Sequence, residues 1–326
     1  MLLDNFQRNH DYLRISLTEK CNLRCTYCMP EEGVALRNRS CFMNKDEVVE
    51  VAKIFTSLGI NKIRLTGGEP LVCKDAHEII LQLSKLPVWL AITTNGILAD
   101  EFLDTFKKSG IRSLNVSLDT LNSENFFSIT RRNEFEKVIS NIHLLLLHNF
   151  FVKVNVVVMN GENENEILDF VEWTREFPLH VRFIEFMPFQ GNKWHGRKVF
   201  PMKAILSLIR SKYDFIKLND KKNDTTKKFK VINHQGTFSI ISTMSEPFCK
   251  NCNRLRLTAD GKLKNCLFSN DEVDLLTPFR KGENIRNLIE NSVKMKKEKQ
   301  GGLFFSKSSL IETLSTINRS MITIGG

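Results

Sequence analysis

The chain has 326 residues, 42% of them apolar, and carries a net charge of +10. That length allows one barrel-sized domain with a smaller addition, and that apolar share excludes general disorder. No apolar run is long enough to span a bilayer, and residues 1–20 carry Asp4, Asp11 and Glu19 and no signal-peptide stretch, so the expected location is cytoplasmic. The positive charge suggests anionic ligands without separating nucleotide from nucleic acid.

Strands are expected at 12–17, 61–66, 89–94, 113–118, 152–158 and 181–186. Helices are expected between them at 45–58, 75–86, 98–109, 134–148 and 164–177, the first capped by Asn44 and closed by Gly59. Six strands alternating with helices imply a parallel sheet, either open and doubly wound or a barrel of six units. Arg14 and Ser16, Arg64 and Thr66, Asn115 and Ser117, and Lys153 and Asn155 each fall on one side of their strand, opposite Leu, Ile and Val. A parallel strand covered on both faces is apolar on both. The expectation is a partial barrel whose lumen holds a polar ligand; the alternative is a polar face turned to water.

Residues 187–228 read as a connecting region, with an amphipathic stretch at 202–212 and a charged run, KLNDKKNDTTKK, expected to be a solvated loop. Short β-like pieces follow at 229–233, 237–242 and 254–258, then a Lys-rich helical segment at 284–299. The fold class is thus α/β: a partial TIM-type (β/α)6 barrel over residues 1–218, with a smaller C-terminal α+β region, 219–326, closing its open side.

Functional loops in such folds follow the carboxyl ends of strands. CNLRCTYC, with Cys21, Cys25 and Cys28, follows the first strand; TGGEP (66–70), TTNG (93–96), SLD (117–119) and EFMP (185–188) follow or end others. Structural zinc takes four protein ligands, whereas three thiolates would hold a 4Fe–4S cluster and leave one iron open. Glu69 reads as a hydrogen-bonding or turn residue, not a general base. A second set, Cys249, Cys252 and Cys266, again lacks an obvious fourth ligand. Alone it fits a zinc ribbon with a distant ligand or a second cluster equally well; beside the first set the cluster is favoured. Cys41 and Cys73 stand alone and read as ordinary thiols.

Arg254 and Arg256 project the same way from a strand and could join Arg14, Arg64 and Lys153 in a cationic lining suited to a triphosphate. No G-x-x-x-x-G-K-[ST] loop is present, so a nucleotide would not be held in the P-loop manner. The chain ends in Gly325-Gly326, which either threads into a tight site or frays.

CNLRCTYC and TGGEP resemble the radical S-adenosylmethionine (SAM) superfamily. With Cys249, Cys252, Cys266, the arginine pair and the terminal glycines, the chain is similar to the GTP 3′,8-cyclase family of molybdenum cofactor biosynthesis, from about Leu13 to Gly326. The resemblance implies two 4Fe–4S clusters, one on Cys21, Cys25 and Cys28 and one on Cys249, Cys252 and Cys266. It implies SAM held at Tyr27, Gly68, Ser117 and Met187. It implies GTP held at Arg14, Arg64, Thr93, Lys153, Arg254, Leu255 and Arg256. Gly325 and Gly326 match a tail that reaches the active site, and Arg14 is the residue expected to matter most for cyclisation. The implied product is 3′,8-cyclo-7,8-dihydro-GTP. The implied partners are an electron donor and a downstream cyclic pyranopterin monophosphate synthase; a homodimer is open, and neither nucleic acid nor membrane is expected. The rivals are another radical SAM enzyme with an auxiliary cluster, such as a peptide maturase, and a basic zinc protein that binds RNA.

Overall fold

Alternating apolar residues build a run of parallel strands: β1 (Tyr12–Ser16), β2 (Lys62–Thr66), β3 (Trp89–Thr94), β4 (Ser113–Ser117), β5 (Phe151–Val158) and β6 (His180–Glu185). The computed structural model describes residues 1–29, 37–302 and 318–325. Helices α1 (Lys45–Ser57), α2 (Ala76–Leu83), α3 (Leu103–Lys108), α4 (Ser123–Thr130), α5 (Phe135–Leu147), α6 (Ile167–Glu176) and α7 (Met202–Arg210) lie between and after these strands. The start of α1 is a capping box: Asn44 Oδ1 accepts from Glu47 N at 2.9 Å, and the Glu47 carboxylate accepts from Asn44 N at 2.7 Å. Gly59, at φ +104°, follows its end.

Each strand from β1 to β6 pairs with the next in chain order. One face presents Leu13, Ile15, Ile63, Leu65, Ile92, Leu114, Val116, Val152 and Val154, all fully buried in a single core with helix residues such as Phe55, Ile80, Phe106, Ile142 and Phe170. Burying each such side chain contributes about 1.5–3 kcal/mol. The other face carries the polar residues, so the two sides of the sheet differ as the alternation predicts.

The C-terminal third adds β7 (Phe215–Lys217), β8 (Lys227–Val231), β9 (Thr237–Ile241), β10 (Arg254–Leu257), β11 (Lys262–Lys264) and β12 (Val273–Asp274), then α8 (Leu276–Arg280), α9 (Arg286–Lys294) and α10 (Met321–Ile324). These strands extend the same sheet at both margins: β10 pairs parallel with β1, and β9 pairs parallel with β6. The sheet runs β12-β11-β10-β1-β2-β3-β4-β5-β6-β9-β8-β7 and does not close into a barrel. Unpaired margins of β1 and β6 would expose backbone donors and acceptors, and the C-terminal strands satisfy both.

Two helices depart from expectation. The helix expected at 98–109 begins only at Leu103, because Asn95 Oδ1 accepts from Ile97 N at 3.1 Å and turns the chain after Gly96, at φ +85°. The unexpected α4 is capped by Asn122, which accepts from Asn125 N at 2.9 Å, and ends at Arg131 with φ 57°. The charged run bridges β7 and β8 as a largely exposed hairpin connection.

Candidate active site

Sheet register gathers the predicted cations on one face. Arg14 stands level with Arg64 on one side and Arg256 on the other, and Tyr12 stands level with Arg254. Further along, Thr93, Asn115, Lys153 and His180 lie in one row, and Ser117, Asn155, Arg182 and Ser239 in the next. Lys62 and Arg182, which the sequence reading passed over, belong to this face. Leu255 does not: its side chain is fully buried in the apolar core, so only its backbone reaches the polar side.

Burial, and after it the neighbouring positive charges, lowers the pKa of several of these cations. Burial, then the charges of Arg256, Arg64 and Arg254, hold Arg14 well below the usual guanidinium range despite the opposing pull of Tyr12. Burial and the neighbouring Arg182, Arg64 and Lys62 push Lys153 down to about 7. Arg182 and Arg256 each fall to about 10, burial leading in both. Arg64 is braced by the frame: Nε donates to Tyr12 Oη at 2.7 Å, and Nη1 donates to Ile92 O at 2.7 Å and Thr93 Oγ1 at 3.4 Å. Lys62 Nζ sits over the rings of Tyr12 and Trp89 at 4.6 and 4.4 Å.

At the carboxyl end of these strands the loops are stitched together. Gly68 N donates to Thr18 O at 2.7 Å, and Glu69 N donates to Lys20 O at 2.8 Å. A Cβ at Gly68 would lie 2.4 Å from Lys20 O, so no side chain fits there. The buried Glu69 carboxylate accepts from Leu71 N, Thr94 Oγ1 and Asn95 N at 3.0, 2.8 and 2.6 Å, as its reading as a hydrogen-bonding residue requires. Burial outweighs these donors and raises its carboxyl to about 7. Asn95 Nδ2 reaches Asn22 Oδ1 at 2.7 Å and Cys21 Sγ at 3.9 Å. Arg24 N and Thr26 N donate to Thr130 O and Ile129 O, both at 2.9 Å, fastening the cysteine loop to the end of α4.

Tyr27 Oη donates to Asp119 Oδ2 at 2.6 Å, and Asp119 Oδ1 accepts from Val157 N at 2.8 Å. Burial raises Asp119 to about 6 against these two donors. Ser117 ends β4, and Met187 packs beside Phe189, Phe268 and Ile324 of the tail helix. Glu185, closing β6, accepts from Met202 N at 2.9 Å and from Met244 N and Ser245 N at 2.8 Å, tying residues 244–245 to this rim.

Arg256 Nη1 donates to the carbonyl of Gly325, which lies against the ends of β1 and β2. A Cβ on Gly325, at φ +87°, would stand 2.7 Å from Thr66 Oγ1 and 3.0 Å from Ser16 Cβ. Gly326 lies outside the described residues. Upstream, Arg319 pairs with Glu19, Asp260 and Glu272 at 3.1–3.2 Å.

The two cysteine sets occupy opposite ends of the sheet. Cys21, Cys25 and Cys28 follow the carboxyl end of β1. Cys249 and Cys252 precede β10, parallel to β1, and Cys266 follows β11, which runs back toward the start of β10. About five residues of strand lie between the ends, on the order of 17 Å.

A family profile described as the radical SAM superfamily matches residues 15–174, and one described as Molybdenum Cofactor Synthesis C matches residues 179–302. A protein of Arabidopsis thaliana, "GTP 3′,8-cyclase, mitochondrial", is 47% identical over all of this chain and 84% of its own length. The chain belongs to the GTP 3′,8-cyclase family of radical SAM proteins. "GTP 3′,8-cyclase" of Petrotoga mobilis is 39% identical, over 90% of this chain and 93% of that one. "Molybdenum cofactor biosynthesis protein 1" of Dictyostelium discoideum is 46% identical, but this chain spans only 52% of its length. SuiB of Streptococcus suis, bound to S-adenosylmethionine, has the same fold at a TM-score of 0.61 and 14% identity, over 83% of this chain and 65% of that one.

Membership in the radical SAM family implies a 4Fe–4S cluster and SAM, and the first cysteine set fits that group. Burial, then the charges of neighbouring thiols, raises Cys28 to about 12 and Cys25 well above the usual thiol range; burial leads at Cys21, raised to about 11. Thiols held protonated chiefly by burial become thiolates against a bound cation, which the irons of a cluster would supply. Among the described residues no three Cys, His, Asp or Glu side chains converge on a single-ion site. Leu23 N also donates to Cys21 Sγ at 3.4 Å, the kind of contact that steadies a ligating sulfur. Among the described residues no helix is long and apolar enough to cross a membrane.

Proposed function

We propose that this chain converts GTP to 3′,8-cyclo-7,8-dihydro-GTP, the first step of molybdenum cofactor biosynthesis. One observation carries the reading: a single cationic sheet face with three thiols at each end. The six parallel strands then serve as a partial barrel, with the polar face as lumen. The chemistry supplied at the carboxyl end, by a cluster with bound SAM, is hydrogen abstraction from an unactivated carbon.

The chain's own residues do the rest. Tyr27, Gly68, Ser117 and Met187 border the SAM side; at Gly68 only backbone can meet the ligand. Arg14, Arg64, Thr93, Lys153, Arg254 and Arg256, with Lys62 and Arg182, hold the triphosphate and fix the ribose toward the first cluster. The guanine end would then face Cys249, Cys252 and Cys266, the residues that would hold a second 4Fe–4S cluster. Gly325 packs over β1 and β2 and shields the site from water. Residues 1–218 thus carry the radical chemistry and 219–326 the second centre. An external donor supplies electrons, and a separate synthase consumes the product.

Metal analysis of anaerobically purified protein, with electron paramagnetic resonance before and after GTP, tests the assignment. The expected result is about eight irons per chain and a GTP-dependent change at one cluster. Arg14→Ala is expected to abolish cyclisation with both clusters assembled; retained turnover would reject its role.

A further inference from the structure

Lys296 follows α9 and is 3% exposed. Its Nζ donates to Cys252 Sγ at 3.5 Å and to Arg254 O at 2.9 Å. Among the described residues no carboxylate pairs with it. Its neighbours are Arg254, two residues after Cys252; Arg8, whose Nη1 donates to Cys249 O at 2.9 Å and whose Nε pairs with the buried Asp4; and the buried His10, 3.7 Å from Asp4. A buried ammonium without a carboxylate needs a negative charge elsewhere. The atom it faces is a sulfur, so the negative charge falls on Cys252 and whatever Cys252 ligates.

The segment around Lys296 is held for this task. Asn265, next to Cys266, donates through Nδ2 to Ser292 O at 2.8 Å and docks α9 on the cysteine loop. Gln300 N donates to Cys249 Sγ at 3.4 Å. One stretch of chain thus delivers a charged donor to one sulfur of the set and a neutral donor to another. Hydrogen bonds and charge at ligating sulfurs are what set the potential of an iron–sulfur cluster.

We propose that Lys296 is the fixed counter-cation of the second cluster and sets its reduction potential. The inference rests on the two-cluster reading above. The reaction it governs is addition of one electron, [4Fe–4S]2+ to [4Fe–4S]+, with dithionite as reductant in the test. A positive charge beside the sulfur favours the more negative, reduced form.

The experiment is a mediated redox titration of the anaerobically reconstituted full chain, followed by electron paramagnetic resonance, with Lys296→Gln and Lys296→Arg. Glutamine keeps an N–H donor and removes the charge. It is expected to lower the reduced-to-oxidised ratio of the second cluster at least tenfold at fixed poise, about 59 mV for one electron. Arginine is expected to keep the wild-type potential, and the first cluster is expected to be unchanged in both. A wild-type potential in Lys296→Gln, or an equal fall in Lys296→Arg, overturns the proposal. If Lys296→Gln assembles no second cluster, Lys296→Arg decides: full iron content at the wild-type potential supports it, and loss of the cluster or a fallen potential overturns it. Wild-type protein with about four irons would instead fail the two-cluster reading itself.

Discussion

Tyr27 illustrates how a side chain beside the first cysteine set can be committed to the frame. Its hydroxyl donates to the buried Asp119 carboxylate, whose other oxygen takes Val157 N. Tyr27→Phe leaves one buried carboxylate oxygen without its donor, at a cost of about 1–3 kcal/mol. Asp119 sits at about 6, above the usual carboxyl value, so the folded protein binds its proton more tightly than the unfolded chain. Its contribution to stability is therefore full below about pH 4 and is lost as pH rises through about 6. The hydroxyl favours the ionised form, so its removal should cost more at pH 8 than at pH 5. Denaturant midpoints of both proteins at the two pH values measure this; equal losses would mean that the Tyr27–Asp119 bond does not respond to that ionisation.

At the scale of elements, the loops after β1, β2 and β3 act as one piece. Two backbone bonds join residues 18–20 to 68–69, and Glu69 joins both to β3. Gly68→Ala would drive a methyl group into the Lys20 carbonyl, which is rigid backbone. The expected outcome is about 1–3 kcal/mol of destabilisation and reduced iron incorporation at the first set, read by thermal unfolding and iron analysis. Unchanged iron content and stability would show that the loops separate freely. The parallel strands were legible because period-two alternation is imposed by burying one face of a sheet, and α1 because both cap residues are local. The short β11 and β12, of three and two residues, carry no such period and were missed. Arg182 was within reach of the same alternation, since it stands between Val181 and Phe183 in β6. Lys296 was not: within a Lys-rich run nothing local distinguishes the one lysine that tertiary packing buries beside a thiol. Asp119 belongs to the SLD segment, yet its bond to Tyr27 spans 92 residues and appears only once the loops meet.

Taken as a whole, the molecule concentrates on one face cations that repel one another until a polyanion arrives. Burial and the charges of Arg182, Arg64 and Lys62 bring Lys153 among them down to about 7. Because the unfolded lysine titrates near 10.4, the ligand-free protein should lose stability as pH falls from about 10 to about 7. Phosphate oxygens reverse the balance by favouring the ammonium form. GTP affinity should therefore fall as pH rises from about 7.5 to 9, where Lys153 is largely neutral in the free protein. A charge-assisted bond contributes about 1.5–3 kcal/mol, so the loss should approach tenfold or more. Lys153→Arg, charged throughout, should flatten the dependence. Anaerobic equilibrium dialysis across this pH range measures it. Tripolyphosphate should compete and raise the unfolding temperature by itself, whereas guanosine should do neither strongly. A pH-independent affinity in the wild-type protein, or stabilisation by guanosine equal to that by GTP, would remove the triphosphate from the cationic face and leave its charge without a ligand.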